Sequence, residues 1–428
     1  MVTKSKLSTE SYKGVRDFYP EDLFIQNYIF NIWRKTVESF GYEEYSASIL
    51  EPAELYKAKT GEEIVNEQTY TFTDRGGRDV TLRPEMTPSV ARLVAQKPHD
   101  LTMPLRWYSI PNLFRYEKPQ RGRLREHWQL NVDLFGVENS SADAEIITVA
   151  YNLMKNLGAK DSDFVIRLNN RKMMDDLYEH LKLSKEKSQK ISKIIDKKDK
   201  IPAEAFLGSV EELTDTETAQ KLMEILSSNK KFLEILGEEN KNAKELMELI
   251  DTLQSLGIAN VEFSPTLMRG FDYYTGVVFE IFDINPENAR SVFGGGRYDD
   301  LLDIFEAKKV SAVGFGAGDV TARDFLETHE LLPAYKPTAQ VYICTLDHHH
   351  AEEAGKLAET LRKSGLNVAV DLSNKKVGDQ IKIAHKKLIP YVICIGDDEI
   401  KSGLYPLKEM SSGEEKKVKV EEIVKMIK

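Results

Sequence analysis

Cysteine is nearly absent from this chain: two residues in 428, Cys344 and Cys394. Each sits in an apolar run, "VYICTL" and "YVICIG", so both read as core thiols rather than a disulfide or metal site. No apolar stretch approaches the roughly 20 residues that cross a bilayer. The opening "MVTKSKLSTESYKG" has no apolar segment of the signal-peptide kind. Together these absences point to a cytoplasmic protein with no membrane contact. Positive charge is not in excess either. A net charge of −10 excludes a protein that coats nucleic acid by bulk charge, although residues 338–428 are nearly balanced, with 15 Lys+Arg and 14 Asp+Glu. A dinucleotide fingerprint is also missing. The glycine runs "FGGGRYDDL" (293–301) and "GFGAGD" (314–319) lie outside any βαβ unit and, taken alone, read as tight strand bends.

What is present is an ordinary globular composition, 41% apolar and 30% charged, in a chain long enough for about two or three domains. Leu23, Ile29, Ile32, Trp33, Val37 and Phe40 recur at helical spacing over residues 21–40, with Glu21 and Asp22 at the start and Gly41 beyond the end. "YTFTDRGGRDVTLRPE" reads as a hairpin about a Gly-Gly turn. Residues 106–135 repeat that plan on a larger scale, around the basic loop "EKPQRGRLRE". The first part is therefore α+β, helices on an antiparallel sheet, within a chain that is α/β overall. Residues 173–256 turn to Lys, Glu and Leu with helical periodicity, a helical insertion. The linker spans 329–338, with Pro333 and Pro337. Beyond it, strands at 340–346, 367–371 and 391–395 alternate with helices at 351–364 and 377–388, a small α/β unit over 339–428 with a largely parallel sheet.

Several residue groups carry chemistry. Arg115, Arg121, Arg123 and Arg125 fall in one strand-loop-strand segment, and guanidinium groups in number suit a polyphosphate. Strand alternation places Gln129 and Asp133 on one face of the return strand. Glu85 in "TLRPEMTPS", with Arg83 and Thr87 beside it, suits an ammonium group or, equally, a cap for the helix starting near Pro88. In "TLMRGFDYYTGVVFE" (266–280), Arg269, Asp272, Tyr273 and Tyr274 precede a buried strand, where polar groups need partners.

These pieces, in this order and over nearly the whole chain, resemble the histidyl-tRNA synthetase family, class II aminoacyl-tRNA synthetases. "FRYEKPQRGRLRE" is similar to the class II ATP loop. "LMRGFDYYTGVVFE" and "GGGRYDDL" are similar to two signatures peculiar to the histidine enzyme. The resemblance implies a catalytic domain over 1–328, interrupted by the 173–256 insertion in contact with the tRNA acceptor stem, and an anticodon-binding domain over 339–428. It also implies a homodimer. The implied reaction is attack of the L-histidine carboxylate on the α-phosphorus of ATP with Mg2+, then transfer of the histidyl group to tRNA(His).

The roles carried over are these. Arg115 holds the α-phosphate, Glu117 the adenine amino group, and Arg123 and Arg125 the outer phosphates. Glu85 and Gln129 take the substrate ammonium with Thr87 beside them; Asp133 and Tyr274 bond the imidazole, and Tyr273 lines the pocket. Arg269 bridges the substrate carboxylate and the α-phosphate, making it and Arg115 the catalytic pair. Three positions depart from the pattern. Ser48 stands where the dimer-interface proline is expected, His127 where an aromatic stacks on adenine, and Val320 and Thr321 where a Glu-Arg pair closes the ATP site. Asp133 is one methylene shorter than the family's usual Glu. A competing reading is a non-catalytic paralogue that regulates ATP phosphoribosyltransferase. Such paralogues lack the anticodon-binding domain and the Arg-bearing signature, both present here. A prolyl or threonyl synthetase would explain the ATP loop but not "RGFDYYTG".

Overall fold

The computed structural model describes residues 7–57, 68–198, 201–268, 273–288, 290–373 and 375–428. It divides into two compact units, Met1–Pro333 and Ala334–Lys428. Helix α1 (Pro20–Ser39) starts on a proline, with acids in its first turn, and buries Ile29, Trp33 and Val37, four residues apart and hence on one face. Strands β1 (Glu43–Glu44) and β2 (Leu50–Pro52), helix α2 (Glu54–Lys57), the hairpin β3 (Tyr70–Thr73) and β4 (Asp79–Leu82), and α3 (Thr87–Gln96) follow. The hairpin turn is held by Asp74, whose Oδ1 accepts from the Gly76 and Arg78 amides. Next come β5 (Leu105–Ser109), β6 (Asn112–Phe114), the long β7 (Glu126–Phe135), α4 (Ser141–Asn156) and β8 (Phe164–Asn170).

Between residues 171 and 255 every described element is a helix: α5 (Arg171–His180), α6 (Lys185–Ile195), α7 (Ala203–Glu211), α8 (Thr216–Ile225), α9 (Asn229–Leu236) and α10 (Lys241–Ser255). Asn170, Ser184, Asp215, Ser228 and Asn240 each accept a backbone N–H at a helix start, which is why short polar residues punctuate this stretch. The sheet resumes with β9 (Val261–Phe263), β10 (Val277–Asp283), β11 (Ser291–Arg297) and β12 (Ala312–Gly318), and α11 (Asp319–Thr328) closes the unit.

The main sheet has nine strands in the order β1-β5-β7-β12-β11-β10-β8-β9, with β6 on β7. Its centre is antiparallel; only the outer pairs β1/β5 and β8/β9 run parallel among the described strands. The glycine runs are not bends. Gly294–Gly296 and Gly314–Gly318 lie inside β11 and β12, paired in register (Gly294 with Gly316, Gly296 with Gly314). Because paired residues share a face, these glycines leave one side of two adjacent strands bare. Gly314 in turn pairs with Asp133, Gly316 with Asn131 and Gly318 with Gln129 of β7. A Cβ on Gly316 would meet the Gln129 amide at 2.8–3.0 Å, and one on Gly296 would meet the Tyr274 ring at 2.9 Å.

The second unit holds β13 (Val341–Thr345), α12 (Ala351–Lys363), β14 (Val368–Val370), α13 (Val377–Lys386), β15 (Tyr391–Ile395), α14 (Asp397–Ser402), β16 (Tyr405–Glu409), β17 (Glu415–Val418) and α15 (Val420–Ile427). Its sheet runs β14-β13-β15-β16-β17. The first three strands are parallel, and an antiparallel pair that the sequence pattern had not marked forms the other edge. Cys344 and Cys394 face each other across β13 and β15 as free thiols. His350, just before α12, is buried and pairs with Asp397 at 3.2 Å.

Glycine-to-alanine substitution should separate the two roles glycine plays here. At Gly295 a methyl would run into the Gly314 carbonyl oxygen and the Phe315 backbone, which cannot rotate away, so Gly295→Ala should destabilise by about 3 kcal/mol. At Gly355, within α12 and with nothing in reach, alanine should add about 0.5–1 kcal/mol. Chemical denaturation of the two variants against the parent chain measures both.

Candidate active site

The bare strip of β11 and β12 is the floor of a cleft of about 2220 Å³. At one end β7 turns Gln129, Asn131 and Asp133 into it, as alternation along a strand requires. Asp133 is buried, and Tyr298, just past β11, donates its hydroxyl to Oδ1. The second oxygen, Oδ2, has no partner among the described residues. Burial pushes this carboxyl up to about 7, against the pull of the Tyr298 hydroxyl. Tyr298 in turn has its hydroxyl pushed well above its ordinary range by burial and by the neighbouring Asp133.

Tyr273 and Tyr274 close this end. Their ring centroids are 4.9 Å apart, and Tyr273 lies 5.9 Å from Tyr298. Tyr273 donates to Glu85 Oε2 at 3.4 Å. Glu85 does not cap the helix that follows. Helix α3 begins at Thr87 with Met86 as its cap and no side-chain capping bond, while Glu85 is 2% exposed and lines the cleft with Thr87. Glu85, Thr87, Gln129, Asp133, Tyr273 and Tyr274 are thus brought together. Arg269, like Asp272, lies outside the described residues.

The basic loop forms the neighbouring part of the cleft. Arg115, Glu117, Arg123 and His127 line it. Arg115 is aimed by an Nε donation to the Pro84 carbonyl at 2.8 Å, and Arg123 lies 3.6 Å from the Glu117 carboxylate. His127 is pushed down to about 3 by burial, then by the charges of Arg115 and Arg16, so at neutral pH its ring is an uncharged aromatic plate. Arg125 is not brought into the cleft. Its guanidinium lies 4.0 Å from the Tyr116 ring centroid and donates to the Tyr12 hydroxyl at 3.0 Å. That placement makes it a brace for the loop.

The far end of the cleft runs over β10 and β8, past Glu280, Phe282 and Arg167, and is walled by α5 and α6 with Arg171, Lys172, Lys185, Lys193 and Lys197. Ile191 and Ile195 anchor α6 to the core, leaving its lysines outward.

The sequence reading missed Tyr298 and Asn131. Tyr298 stands in the quoted "GGGRYDDL", and Asn131 follows from the alternation that named Gln129 and Asp133. Arg297 of the same motif is structural, ion-paired with buried Asp143 at 2.6 Å. Asp319, ending "GFGAGD", is a clip: it accepts from Arg16 at 2.7 Å and from the Trp128 amide at 2.9 Å. Ser48 keeps its backbone against Arg83 at 3.4 Å. Arg323 spends its guanidinium on Glu327 and Asp22, 2.8 and 3.0 Å away, on the outside of α11.

Comparison with known proteins identifies the family. A family model described as histidyl-tRNA synthetase matches residues 14–320, and one described as an anticodon binding domain matches residues 340–428. The histidine–tRNA ligase of Leptospira biflexa serovar Patoc is 43% identical over 96% of this chain and 95% of its own length. That of Thermoplasma volcanium is 34% identical over 98% of both. Among solved structures, histidyl-tRNA synthetase from Nostoc sp. PCC 7120 superposes with a TM-score of 0.84 at 25% identity, covering 99% of both chains. With a family model over most of its length and relatives of this identity end to end, the chain belongs to the histidyl-tRNA synthetase family.

Proposed function

We propose that the cleft binds L-histidine and ATP side by side and that the chain works as a histidine–tRNA ligase. It activates histidine with ATP to histidyl-adenylate and pyrophosphate, then transfers the histidyl group to the 3′ end of tRNA(His). The observation that carries this reading is the ring of Glu85, Tyr273, Tyr298 and Asp133 over a glycine floor, with Arg115 and His127 beside it. Glu85 and Gln129 take the ammonium, with Thr87 at the rim. Asp133 and Tyr274 take the imidazole, whose N–H answers the unpartnered Oδ2 of Asp133, and Tyr273 packs against the ring. The shorter reach of Asp relative to Glu is offset by Tyr298, which fixes the carboxyl from behind.

On the nucleotide side Arg115 holds the α-phosphate, Glu117 the adenine amino group and Arg123 the outer phosphates, while neutral His127 stacks on the base. Arg125 braces the loop. Mg2+ enters as the metal–ATP complex, held by phosphate oxygens; the described residues contain no cluster of three or more His, Cys, Asp or Glu that would hold it alone. The substrate carboxylate is the nucleophile, so the protein aligns reactants and stabilises charge. Arg269, bridging that carboxylate and the α-phosphate, completes the machinery with Arg115.

Residues 1–328 serve as the catalytic domain, with the 173–256 insertion against the acceptor stem, and residues 339–428 read the anticodon. A cytoplasmic homodimer fits a family that acts on tRNA; no described helix is long and apolar enough to cross a membrane. The regulatory-paralogue reading loses its footing where residues 340–428 match an anticodon binding domain. Pyrophosphate exchange run with each of the twenty amino acids, followed by charging of a tRNA pool, tests the whole reading; exchange driven by another amino acid would overturn it.

Three narrower outcomes are expected. Arg269→Ala should slow adenylate formation by roughly 10²–10³-fold, the scale of losing one charge-stabilising donor, with the fold intact by circular dichroism; near-normal exchange would remove Arg269 from the machinery. Burial keeps Asp133 neutral below about pH 7, so its accepting charge develops as pH rises through that value. The kcat/KM for histidine in exchange should fall below about pH 7, and Asp133→Asn should lower the plateau and abolish that limb. Identical pH profiles for the two proteins would assign the limb to the substrate ring alone. Reversing charge at Lys185 and Lys193 on the cleft wall should raise the KM for tRNA and flatten its salt dependence while leaving exchange unchanged.

A further inference from the structure

The outer phosphates of a bound nucleotide need cations on two walls, because a triphosphate spreads its charge over three groups. Arg115 and Arg123 supply one wall. The facing wall is the end of β12 and the start of α11, where Val320 and Thr321 line the cleft without charge. Two arginines near that wall are turned away. Arg323 is held by Glu327 and Asp22. Arg121 donates to the Glu287 carbonyl at 3.3 Å and the Thr328 hydroxyl at 3.0 Å, and does not line the cleft.

Arg290 does line it. It comes from a different part of the chain, between the end of β10 and the start of β11. Resting on the nucleotide reading above, we infer that Arg290 is the phosphate-binding cation of this wall, gripping the β- and γ-phosphates of ATP in place of an arginine on α11. Gly122, with φ +76, forms the tip of the basic loop. A Cβ there would sit 3.7 Å from the Thr321 methyl, 3.7 Å from Asp324 Oδ2 and 4.0 Å from Arg290 Nη1. The Arg290 guanidinium therefore reaches the same point as residue 321, from the other side. Among the described residues it donates one N–H, to the Arg121 carbonyl at 2.8 Å, which leaves most of its five donors for a ligand.

The loop that carries it is pre-set. Asp283 is buried and bonds His329 at 2.9 Å, the Asn288 amide group at 2.9 Å and the Asn285 backbone N–H at 2.8 Å. The Asp283 amide donates to the Arg290 carbonyl at 3.3 Å. A cation held this way costs little reorganisation when phosphate arrives. Arg323 is matched by Glu327 and Asp22, and Asp324 is shared between Arg121 and Arg290, so that pair keeps an excess of positive charge.

Pyrophosphate exchange on the full chain tests this with Arg290→Ala and Arg290→Gln, the second keeping a donor for the Arg121 carbonyl without the charge. Both should raise the KM for ATP about 10- to 100-fold, the worth of one charged hydrogen-bonding group. The KM for histidine and the affinity for a non-hydrolysable histidyl-adenylate analogue, which lacks the outer phosphates, should stay within about twofold. Arg290→Gln with the parent KM for ATP would reduce the residue to a tether and overturn the inference. Equal weakening of ATP and the analogue would overturn it as well, marking general disorder of the loop. Arg115→Ala distinguishes the two levels of argument. If it raises the KM for ATP while Arg290→Ala does not, the inference alone fails; if neither does, the nucleotide reading of the cleft fails.

Discussion

Everything in the cleft depends on side chains that are not there. A sheet face in a protein interior is normally filled by its own residues, and a site can be built on it only where the strands carry nothing. Gly294, Gly296, Gly314 and Gly316 meet that condition across two adjacent strands in matched register. The polar residues of β7 then lie over a floor that leaves them room, and Gln129, Asp133 and Tyr274 stand within about 3 Å of where Cβ atoms would otherwise be. Glycine in a strand weakens it by entropy and lost packing. Here that loss is offset by the flanks: Phe279, Phe293 and Phe315 fill the opposite face, with Phe293 and Phe315 stacked at 5.6 Å. The sheet is rigid on one side so that it can be hollow on the other.

That same feature shows what a sequence can and cannot disclose. Period-2 alternation names Gln129 and Asp133 as neighbours on a face because the rule is local to one strand. The helix over Pro20–Ser39, the hairpin about Asp74–Arg78 and the parallel strands after residue 340 are legible for the same reason: each is written in spacing a few residues long. The glycine runs look like bends because a run of Gly is locally ambiguous; only the pairing of Gly296 with Gly314, eighteen residues apart, makes them a floor. Glu85 misleads in the opposite way. Its position before a helix is that of a cap, and its true direction is set by Tyr273, 188 residues away. Arg125 meets two tyrosines, Tyr12 and Tyr116, that no local pattern ties to it.

The buried pair of Asp133 and Tyr298 carries the specificity argument. A buried carboxyl beside the Tyr298 hydroxyl, on a residue paired with Gly314 and Trp107, resists ionising, and one of its oxygens has no described partner. A buried acceptor left unmatched by a bound guest costs on the order of 1–3 kcal/mol. On the proposed reading, a guest without a matching donor would be rejected by the unmet bond rather than by lack of room. Tyr298 sharpens this by engaging Oδ1, which leaves Oδ2 as the acceptor on offer.

The charge distribution reconciles a chain of net −10 with polyanionic substrates. Affinity for phosphate follows local field, and a concave site with low-dielectric walls focuses it. Arg115, Arg123, Arg167, Arg171 and Arg290, with Lys172, Lys185, Lys193 and Lys197, line one cleft. Nine acids line the same cleft, Glu280 and Asp283 among them, so it is close to balanced within a chain of net −10; other acids lie in exposed pairs such as Lys190–Glu186 and Lys356–Glu352 that contribute little to stability. A volume of about 2220 Å³ is more than twice what a single small ligand fills, and the cations continue past the glycine floor onto α5 and α6. A site built for one amino acid would end at Tyr274. This one continues past the glycine floor to α5 and α6, where lysines and arginines alternate with Asp175, Glu179 and Asp196.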